Sequence, residues 1–326
     1  MKIIIAEYPE SADRDISIEK EFLPEDAEIK VAVYTEETKA DFIKECEDAD
    51  AILTGYVPFD REMIDGLKNC KVISIAATGY NYVDVDYAAE KGIRVCAIGE
   101  YCTNEVADHT LMLILALTRG LIRTHRSVKE DKEWIYDIVD DIPRTEDLKL
   151  GIAGLGRIGR AVAKRAQAFG MEVIAYDPYL PEHIANDMNV KLVSIEELME
   201  TSDIISIHMN LTGENKEFFD YEKFKMMKKR PIFINVARGG VVNEDDLVRV
   251  LDEGLIRGAG LDVLSSETPD LENCPLLGRD NVILTPHNAF YSKTSMYLLS
   301  RIPAENITAC LAGEYDKANR IVNNVK

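Results

Sequence analysis

One stretch of thirty residues constrains the fold of this chain more than any other. It runs from Leu148 to Asp177 and reads LKLGIAGLGRIGRAVAKRAQAFGMEVIAYD. A short apolar segment is followed by a turn with three glycines, an amphipathic segment, a second apolar segment and a carboxylate. This order predicts a unit of strand, helix and strand in which the second strand ends at Asp177.

The three glycines of this unit have separate physical uses. Gly154 permits a sharp turn after the strand, Gly156 lets backbone amides approach a pyrophosphate, and Gly159 lets the helix pack closely on the sheet. The carboxylate of Asp177 accepts hydrogen bonds from ribose hydroxyls and repels a 2′-phosphate, and residues 178–180 contain no Arg. The unit therefore predicts a dinucleotide site that takes NAD rather than NADP. A glycine turn of purely structural use is the alternative.

Length, charge and cysteine content limit the classes of protein that this chain can belong to. The 326 residues allow about two domains. The net charge of −20 disfavours nucleic acid and anionic membranes as partners. The apolar run at 111–117 is shorter than the roughly 18 to 20 residues that span a bilayer. Six cysteines without a CxxC pair predict free thiols, no metal site and a cytoplasmic location, and the apolar N-terminal segment is too short for a signal peptide.

Short apolar runs separated by amphipathic segments organise both halves of the chain. In the first half they lie at 3–6, 29–34, 51–55, 72–77 and 93–98, and after Asp177 they lie near 191 and at 203–208, 231–237, 258–263 and 281–286. This spacing predicts two parallel sheets with crossover helices. A long helical pattern from Asn104 to about Glu130 connects the halves, and a closing helix from Ser292 to Gly313 can return to the first domain.

We therefore predict an α/β protein of two domains. Residues 102–291 form a dinucleotide-binding domain with a doubly wound sheet, of the Rossmann type. Residues 1–101 and 292–326 form a discontinuous second domain, which lacks a phosphate-binding glycine loop and serves the substrate. The polar, aperiodic segment from Trp134 to Arg144 is predicted to be an arm that precedes the dinucleotide unit.

Three polar residues follow predicted strands of the dinucleotide-binding domain. Arg238 lies in NVARGG, Glu267 in LDVLSSETP, and His287 in NVILTPH. A guanidinium can pair with a carboxylate of a 2-oxo acid, and a protonated imidazole held by a carboxylate can donate to the carbonyl oxygen. Taken singly, each has a plainer interpretation: Arg238 as a structural ion-pair member, Glu267 as a solvated acid, and His287 as a strand-end residue.

The order of the motifs resembles that of the D-isomer-specific 2-hydroxyacid dehydrogenases over nearly the whole chain. The similar segments are TGYNYVDVDYAAEKGI at 78–93, NEVADHTLMLILALTR at 104–119, GIAGLGRIG at 151–159, NVARGGVVNEDDL at 235–247, GAGLDVLSSETP at 258–269 and TPHN at 285–288. The resemblance implies a flavodoxin-like substrate domain beside the Rossmann domain. It also implies an NAD-dependent oxidoreductase that interconverts a small 2-oxo acid and a D-2-hydroxy acid.

The resemblance assigns roles to individual residues. Arg238 binds the substrate, Glu267 is the partner of the histidine, His287 is the proton donor, and Thr78 and Gly79 present amides to the substrate carboxylate. Contacts to the cofactor come, by the same resemblance, from Arg157 and Ile158 at the pyrophosphate, Asp177 at the ribose, Met209, Asn210 and Asn215 on the adenosine side, and Val236, Ala237 and Asp262 on the nicotinamide side. We also expect a homodimer formed around the long helix and the arm near Trp134.

Some residues depart from the family pattern. Asn210 stands where a proline is common, and Thr268 separates Glu267 from Pro269. Asp108 in VADHT resembles the branch of the C-terminal-binding proteins. An NAD(H)-responsive interaction protein of that kind is therefore the alternative function.

Overall fold

The computed structural model describes residues 1–325, which form two compact α/β units. The strands are β1 Lys2–Glu7, β2 Glu28–Val33, β3 Ala51–Thr54, β4 Val72–Ile75, β5 Arg94–Cys96, β6 Lys149–Ala153, β7 Glu172–Tyr176, β8 Lys191–Leu192, β9 Ile204–Ile207, β10 Ile232–Asn235, β11 Gly258–Leu261 and β12 Val282–Leu284. The α-helices are α1 Ser17–Phe22, α2 Lys39–Cys46, α3 Arg61–Gly66, α4 Val85–Glu90, α5 Thr103–Thr118, α6 Leu121–Arg126, α7 Arg157–Ala168, α8 Glu182–Asn186, α9 Ile195–Thr201, α10 Tyr221–Lys225, α11 Glu244–Asp252 and α12 Lys293–Leu311.

The first unit comprises Met1–Tyr101 and Ser292–Lys326. Its five strands are parallel and follow the order β2-β1-β3-β4-β5, which is the flavodoxin-like order. Strand β1 is buried on both faces, as parallel strands usually are. Ile3 and Ile5 pack with Ile307 of α12, whereas Ile4 packs on the opposite face with Phe42 of α2. Side chains of β1 alternate between the two faces of the sheet, so this strand contributes to both hydrophobic layers of the unit.

The second unit comprises Cys102–Tyr291 and contains a parallel sheet of seven strands. Their order is β12-β11-β10-β9-β6-β7-β8, so the chain reverses its direction of growth between β6 and β9. Ligands bind at the carboxyl ends of strands beside such a switch point. The prediction of two α/β domains with parallel sheets is confirmed.

The predicted long helix from Asn104 to about Glu130 was wrong as a single element. It is divided into α5, which ends at Thr118, and α6, which begins at Leu121. Gly120 between them is left-handed, with φ of +60°. A Cβ atom there would also lie 2.8 Å from both methyl groups of Val139. Glycine is therefore favoured here, and the chain turns at this residue.

The carboxyl ends of the seven parallel strands lie along one edge of the second sheet. The segments that follow β6, β9, β10, β11 and β12 consequently come together at this edge, which we call the C-terminal edge. In the part of the chain that the structure describes, no helix combines the length and apolar character needed to cross a membrane.

Candidate active site

Two of the three glycines in the turn after β6 leave no room for a side chain. Gly154 has φ of +96°, and a Cβ atom there would lie 2.9 Å from the backbone of His208. A Cβ atom on Gly159 would lie 2.3 Å from the carbonyl oxygen of Gly154. At Gly156, in contrast, no atom lies within 4 Å of the Cβ position. The turn is therefore tightly packed against the sheet and open on its outer side.

This open side faces the start of α7, where a dinucleotide fits. No side chain caps the first turn of α7, which begins at Arg157. Arg157 is exposed and Ile158 is half-buried, so their backbone N–H groups lie at an accessible helix N-terminus. Amides at such a terminus, with the partial positive charge of the helix, suit a pyrophosphate. A Cβ atom on Gly156 would fill the space that the phosphates need.

Asp177 follows β7 and contacts the glycine turn directly. Its Oδ2 accepts the N–H of Leu155 at 2.8 Å. Its Oδ1 accepts the N–H groups of Tyr179 and Leu180 at 3.0 and 3.1 Å. The carboxylate has further lone pairs for ribose hydroxyls. The sequence predicted the ribose contact but not this second role, in which Asp177 holds the turn in place.

The other residues expected beside the cofactor also lie after strands at the C-terminal edge. Met209, Asn210 and Asn215 follow β9, and Asn215 closes this loop by accepting the N–H of Thr212 and donating to the carbonyl of Asn210, both at 2.7 Å. Val236 and Ala237 follow β10, where the N–H of Ala237 donates to Asn235 at 3.1 Å.

His208 also lies at this edge, after β9. Its Nε2 is 2.9 Å from the hydroxyl of Ser206. Burial lowers the pKa of His208 to about 3, so this imidazole stays neutral near pH 7. A group that is neutral throughout the physiological range is a poor proton donor, which leaves His287 as the better candidate at this edge.

Arg238 and Glu267 are brought together by contact between their two loops. Arg238 follows β10, and its Nη1 donates to the carbonyl of Ala237 at 2.7 Å. The next residue, Gly239, lies directly against the backbone of Leu264, where a Cβ atom would not fit. The loop that carries Glu267 is also held by a hydrogen bond from the N–H of Ser265 to the carboxylate of Glu244.

His287 and Glu267 form a hydrogen-bonded pair. The imidazole Nδ1 lies 2.7 Å from Oε2 of the carboxylate. The pKa of Glu267 is lowered, first by this hydrogen bond, then by the charges of His287 and Arg238, with burial acting in the opposite direction. The structure thus places an ionised carboxylate against Nδ1 of the imidazole.

Asp262 organises the turn that presents His287. Its carbonyl accepts the N–H of His287 at 2.8 Å. Its carboxylate, which is fully buried, accepts the backbone N–H groups of Asn288 and Ala289. His287 itself has a left-handed backbone, with φ of +48°. The family resemblance had assigned Asp262 to the nicotinamide side, and sequence reasoning missed that its carboxylate holds this turn.

Thr78 and Gly79 lie in the first unit, between β4 and α4. The carbonyl of Thr78 accepts from Nη1 of Arg320 at 3.5 Å, and the guanidinium of Arg320 lies 5.4 Å from the ring centre of Tyr80. Arg320 therefore restrains the segment that carries both predicted amides. Within residues 1–325, no group of three or more His, Cys, Asp or Glu side chains is arranged to hold a metal ion.

Comparison with known proteins identifies the family. Residues 111–289 match the sequence model described as D-isomer specific 2-hydroxyacid dehydrogenase, NAD binding domain. The chain is 38% identical over 308 residues to D-3-phosphoglycerate dehydrogenase of Methanocaldococcus jannaschii, with 92% of this chain and 56% of that protein covered. It is 35% identical over 281 residues to glyoxylate reductase of Korarchaeum cryptofilum, with 83% of this chain and 82% of that protein covered. The chain thus spans little more than half the length of the first relative.

A solved structure agrees with these matches. D-lactate dehydrogenase from Aquifex aeolicus, complexed with NAD and lactic acid, has a TM-score of 0.86 at 28% identity and covers 99% of this chain and 100% of its own. The chain belongs to the D-isomer specific 2-hydroxyacid dehydrogenase family. The predictions of this family, of NAD as the cofactor and of an NAD-dependent oxidoreductase are confirmed. The comparisons do not favour the alternative of an interaction protein.

Proposed function

We propose that this chain interconverts small 2-oxo acids and D-2-hydroxy acids with NADH and NAD, with Arg238, Glu267 and His287 as its catalytic residues. The observation that carries this proposal is the 2.7 Å contact between Glu267 and His287 at the C-terminal edge of an NAD-binding sheet. The roles of the three residues follow from the chemistry of their side chains.

Arg238 binds the substrate carboxylate and polarises the carbonyl group, because a guanidinium offers paired donors to planar oxygen groups. Bound NADH supplies the hydride that reaches the carbonyl carbon. His287 donates the proton to the carbonyl oxygen from Nε2, since its Nδ1 is held by Glu267. Glu267 keeps the imidazole oriented through this hydrogen bond and places a negative charge beside it.

The substrate is proposed to be a small acid without a phosphate group. TGYNY at 78–82, which would bind the substrate through the amides of Thr78 and Gly79, contains no Lys or Arg. Relatives named glyoxylate reductase and hydroxypyruvate reductase are consistent with this size. In this proposal residues 102–291 bind NAD, and residues 1–101 with 292–326 bind the acid.

The proposed assembly is a cytoplasmic homodimer. Trp134 and Tyr136 of the arm are 90% and 96% exposed, and Leu121 and Ile122 of α6 are also exposed. Large aromatic side chains open to water are typical of protein interfaces. The family resemblance implies that the partner at this surface is a second copy of this chain. All six cysteines lie within the described residues and none is in a disulfide, which suits a reducing compartment.

The test of the activity is a panel of 2-oxo acids ranked by kcat/KM from the absorbance of NADH. We expect turnover with glyoxylate and hydroxypyruvate, and a loss of about 10² to 10⁴-fold in kcat for His287→Gln. His183→Gln, on the exposed start of α8, is the matched control and should leave kcat unchanged. An NADH-binding protein without turnover on any acid of the panel would refute the proposal.

A further inference from the structure

A series of hydrogen bonds joins helix α5 to the turn that carries His287. Nε2 of His109 lies 3.0 Å from the hydroxyl of Thr285. That hydroxyl donates to Oδ1 of Asp262 at 2.5 Å. The same carboxylate accepts the backbone N–H groups of the two residues after His287, at 3.0 and 2.9 Å. One buried carboxylate therefore connects a helix side chain to the backbone of the turn.

The direction of each hydrogen bond follows from the chemistry of the partners. The hydroxyl of Thr285 donates its proton to the carboxylate of Asp262. Toward His109 the Thr285 oxygen can therefore only accept a hydrogen bond. The pKa of His109 is lowered by burial, against the opposing charge of Asp262, which keeps the imidazole neutral near pH 7. Its single N–H must then be on Nε2, because Nε2 is the nitrogen that faces Thr285.

The turn needs this support because its backbone is unfavourable in isolation. His287 has φ of +48°, a conformation that residues other than glycine adopt at a cost. Its own N–H is held by the carbonyl of Asp262, and the following two N–H groups by the carboxylate of that residue. The orientation of the Asp262 carboxylate thus determines the position of the backbone from which the imidazole of His287 extends.

We propose that His109 and Thr285 are positioning residues that act on His287 through Asp262. They fix the rotation of the buried carboxylate, and the carboxylate fixes the left-handed turn. Neither side chain needs to touch the substrate. The inference extends the proposed function, since it assigns His287 the same role in proton donation.

Removal of the Thr285 hydroxyl should separate binding of the cofactor from catalysis. In Thr285→Val the carboxylate loses one donor, and His109 loses the hydroxyl 3.0 Å from its Nε2 and keeps only Oδ1 of Asp262, at 3.6 Å, in a buried site. We expect the turn to shift and kcat to fall about tenfold to a hundredfold, because a displacement of about 1 Å has an effect of this size. The dissociation constant of NADH should change much less than kcat, since the glycine turn and Asp177 lie after other strands and Asp262 is expected only on the nicotinamide side.

The experiment compares Thr285→Val with Thr285→Ser, which restores the hydroxyl, and His109→Leu with His109→Gln, which restores a donor. Thr110→Val is the matched control, because its hydroxyl is buried on the same helix but donates to the carbonyl of Val106. The measurements are kcat and KM for a 2-oxo acid, NADH affinity by fluorescence, and the NMR signal of the imidazole proton shared by His287 and Glu267. That signal is assigned by its loss in His287→Gln.

The proposal is supported if Thr285→Val lowers kcat and shifts the imidazole signal, Thr285→Ser restores both, and NADH affinity changes much less than kcat throughout. It is overturned if Thr285→Val keeps kcat within about twofold of the parent with the same signal, or if Thr285→Ser fails to rescue it. Should Thr285→Val not fold, the His109 pair decides in the same way. If the parent turns over no 2-oxo acid, the proposed function fails, and the imidazole signal alone still tests the positioning role.

Discussion

The backbone at Gly239 touches the backbone at Leu264. A Cβ atom on Gly239 would lie 1.8 Å from the carbonyl oxygen of Leu264, which no native contact allows. Gly239 follows Arg238, and Leu264 precedes the segment that ends in Glu267. The distance between these two catalytic candidates is therefore set by a direct contact of main chains, with no side chain between them.

Gly239→Ala should consequently impair catalysis more than a surface substitution does. The added methyl group must push the two loops apart, and we expect kcat/KM to fall about a hundredfold and the free energy of unfolding to fall by about 1 to 3 kcal/mol. Thermal unfolding and steady-state kinetics measure the two effects. Gly213→Ala is the control, because no atom lies within 4 Å of its Cβ position. Normal kinetics for Gly239→Ala would show that the contact does not set the distance.

Glu267→Gln should shift the pH dependence of 2-oxo acid reduction. The pKa of Glu267 is lowered by its hydrogen bond to His287, so the carboxylate stays ionised until the pH falls through that lowered value. A neutral amide does not titrate, so the variant should lose the acid limb of kcat/KM that protonation of Glu267 causes in the parent. Glu272→Gln, an exposed acid of the same segment, should leave the profile unchanged. An acid limb at the same pH in Glu267→Gln would mean that the ionisation of Glu267 does not affect the reaction.

The same carboxylate should make a pH-dependent contribution to stability. The pKa of Glu267 is lowered in the folded protein, so its stabilising contribution is present above the unfolded value of about 4.3 and is lost as the pH falls through the folded pKa. The difference in Tm between the parent and Glu267→Gln should therefore shrink below about pH 4. Because the side chain is 66% exposed, the difference is small even at neutral pH. A difference in Tm that grows toward acid pH would contradict this assignment.

Asp177→Asn should reduce the preference for NADH over NADPH. The amide oxygen can still accept the N–H groups of Tyr179 and Leu180, but the charge that repels a 2′-phosphate is gone. The amide nitrogen then faces the N–H of Leu155 and cannot accept it, so the affinity for NADH is measured beside the ratio. We expect the ratio of kcat/KM values to fall about tenfold, which corresponds to about 1.4 kcal/mol. Glu172→Gln, at the exposed start of the same strand, is the control.

Asp177→Ala removes both functions of this residue. Since the N–H of Leu155 then has no carboxylate to bind, the glycine turn should loosen and the affinity for NADH itself should fall. A preference for NADH that is unchanged in both variants would show that Asp177 does not select the cofactor.

The arm should control assembly. Replacement of Trp134 and Tyr136 by Ser removes two large exposed rings, and the dissociation constant of the homodimer should rise at least about tenfold. Sedimentation at several concentrations measures it, and Leu271→Ser, which is 55% exposed elsewhere in the unit, is the control. A parent protein that sediments as a monomer at all concentrations would exclude the homodimer.

The sequence predicted the sheets well because their strands are short apolar runs bounded by glycine, proline and polar residues. The apolar run expected near 191, for example, is the strand Lys191–Leu192 in the structure. The break at Gly120, where the backbone is left-handed, was not predicted because the apolar pattern continues through Leu121 and Ile122. Helices α1 and α8, with six and five residues, are too short to give a clear period.

The sequence proposed the candidate residues of the site but not the contacts that support them. Arg238, Glu267 and His287 were proposed because their side chains have the required chemistry and follow strands, and their roles stay predictions. The buried carboxylate of Asp262 was not recognised as the anchor of the turn, since its partners are backbone groups that are the same in every sequence. Thr285 and His109 are 176 positions apart in the sequence, so their contact exists only in the folded chain.

Strands β10, β11 and β12 are immediate neighbours, and the loops after them carry Arg238, Glu267 and His287 in that order. Adjacent strands lie about 4.8 Å apart in any sheet, so the spacing of the three loops is inherited from the backbone rather than from their sequences. Such an arrangement can evolve one loop at a time. Residues that contact the substrate can be replaced to suit a new acid. The hydrophobic core, which does not contact the substrate, preserves the distances on which proton transfer depends.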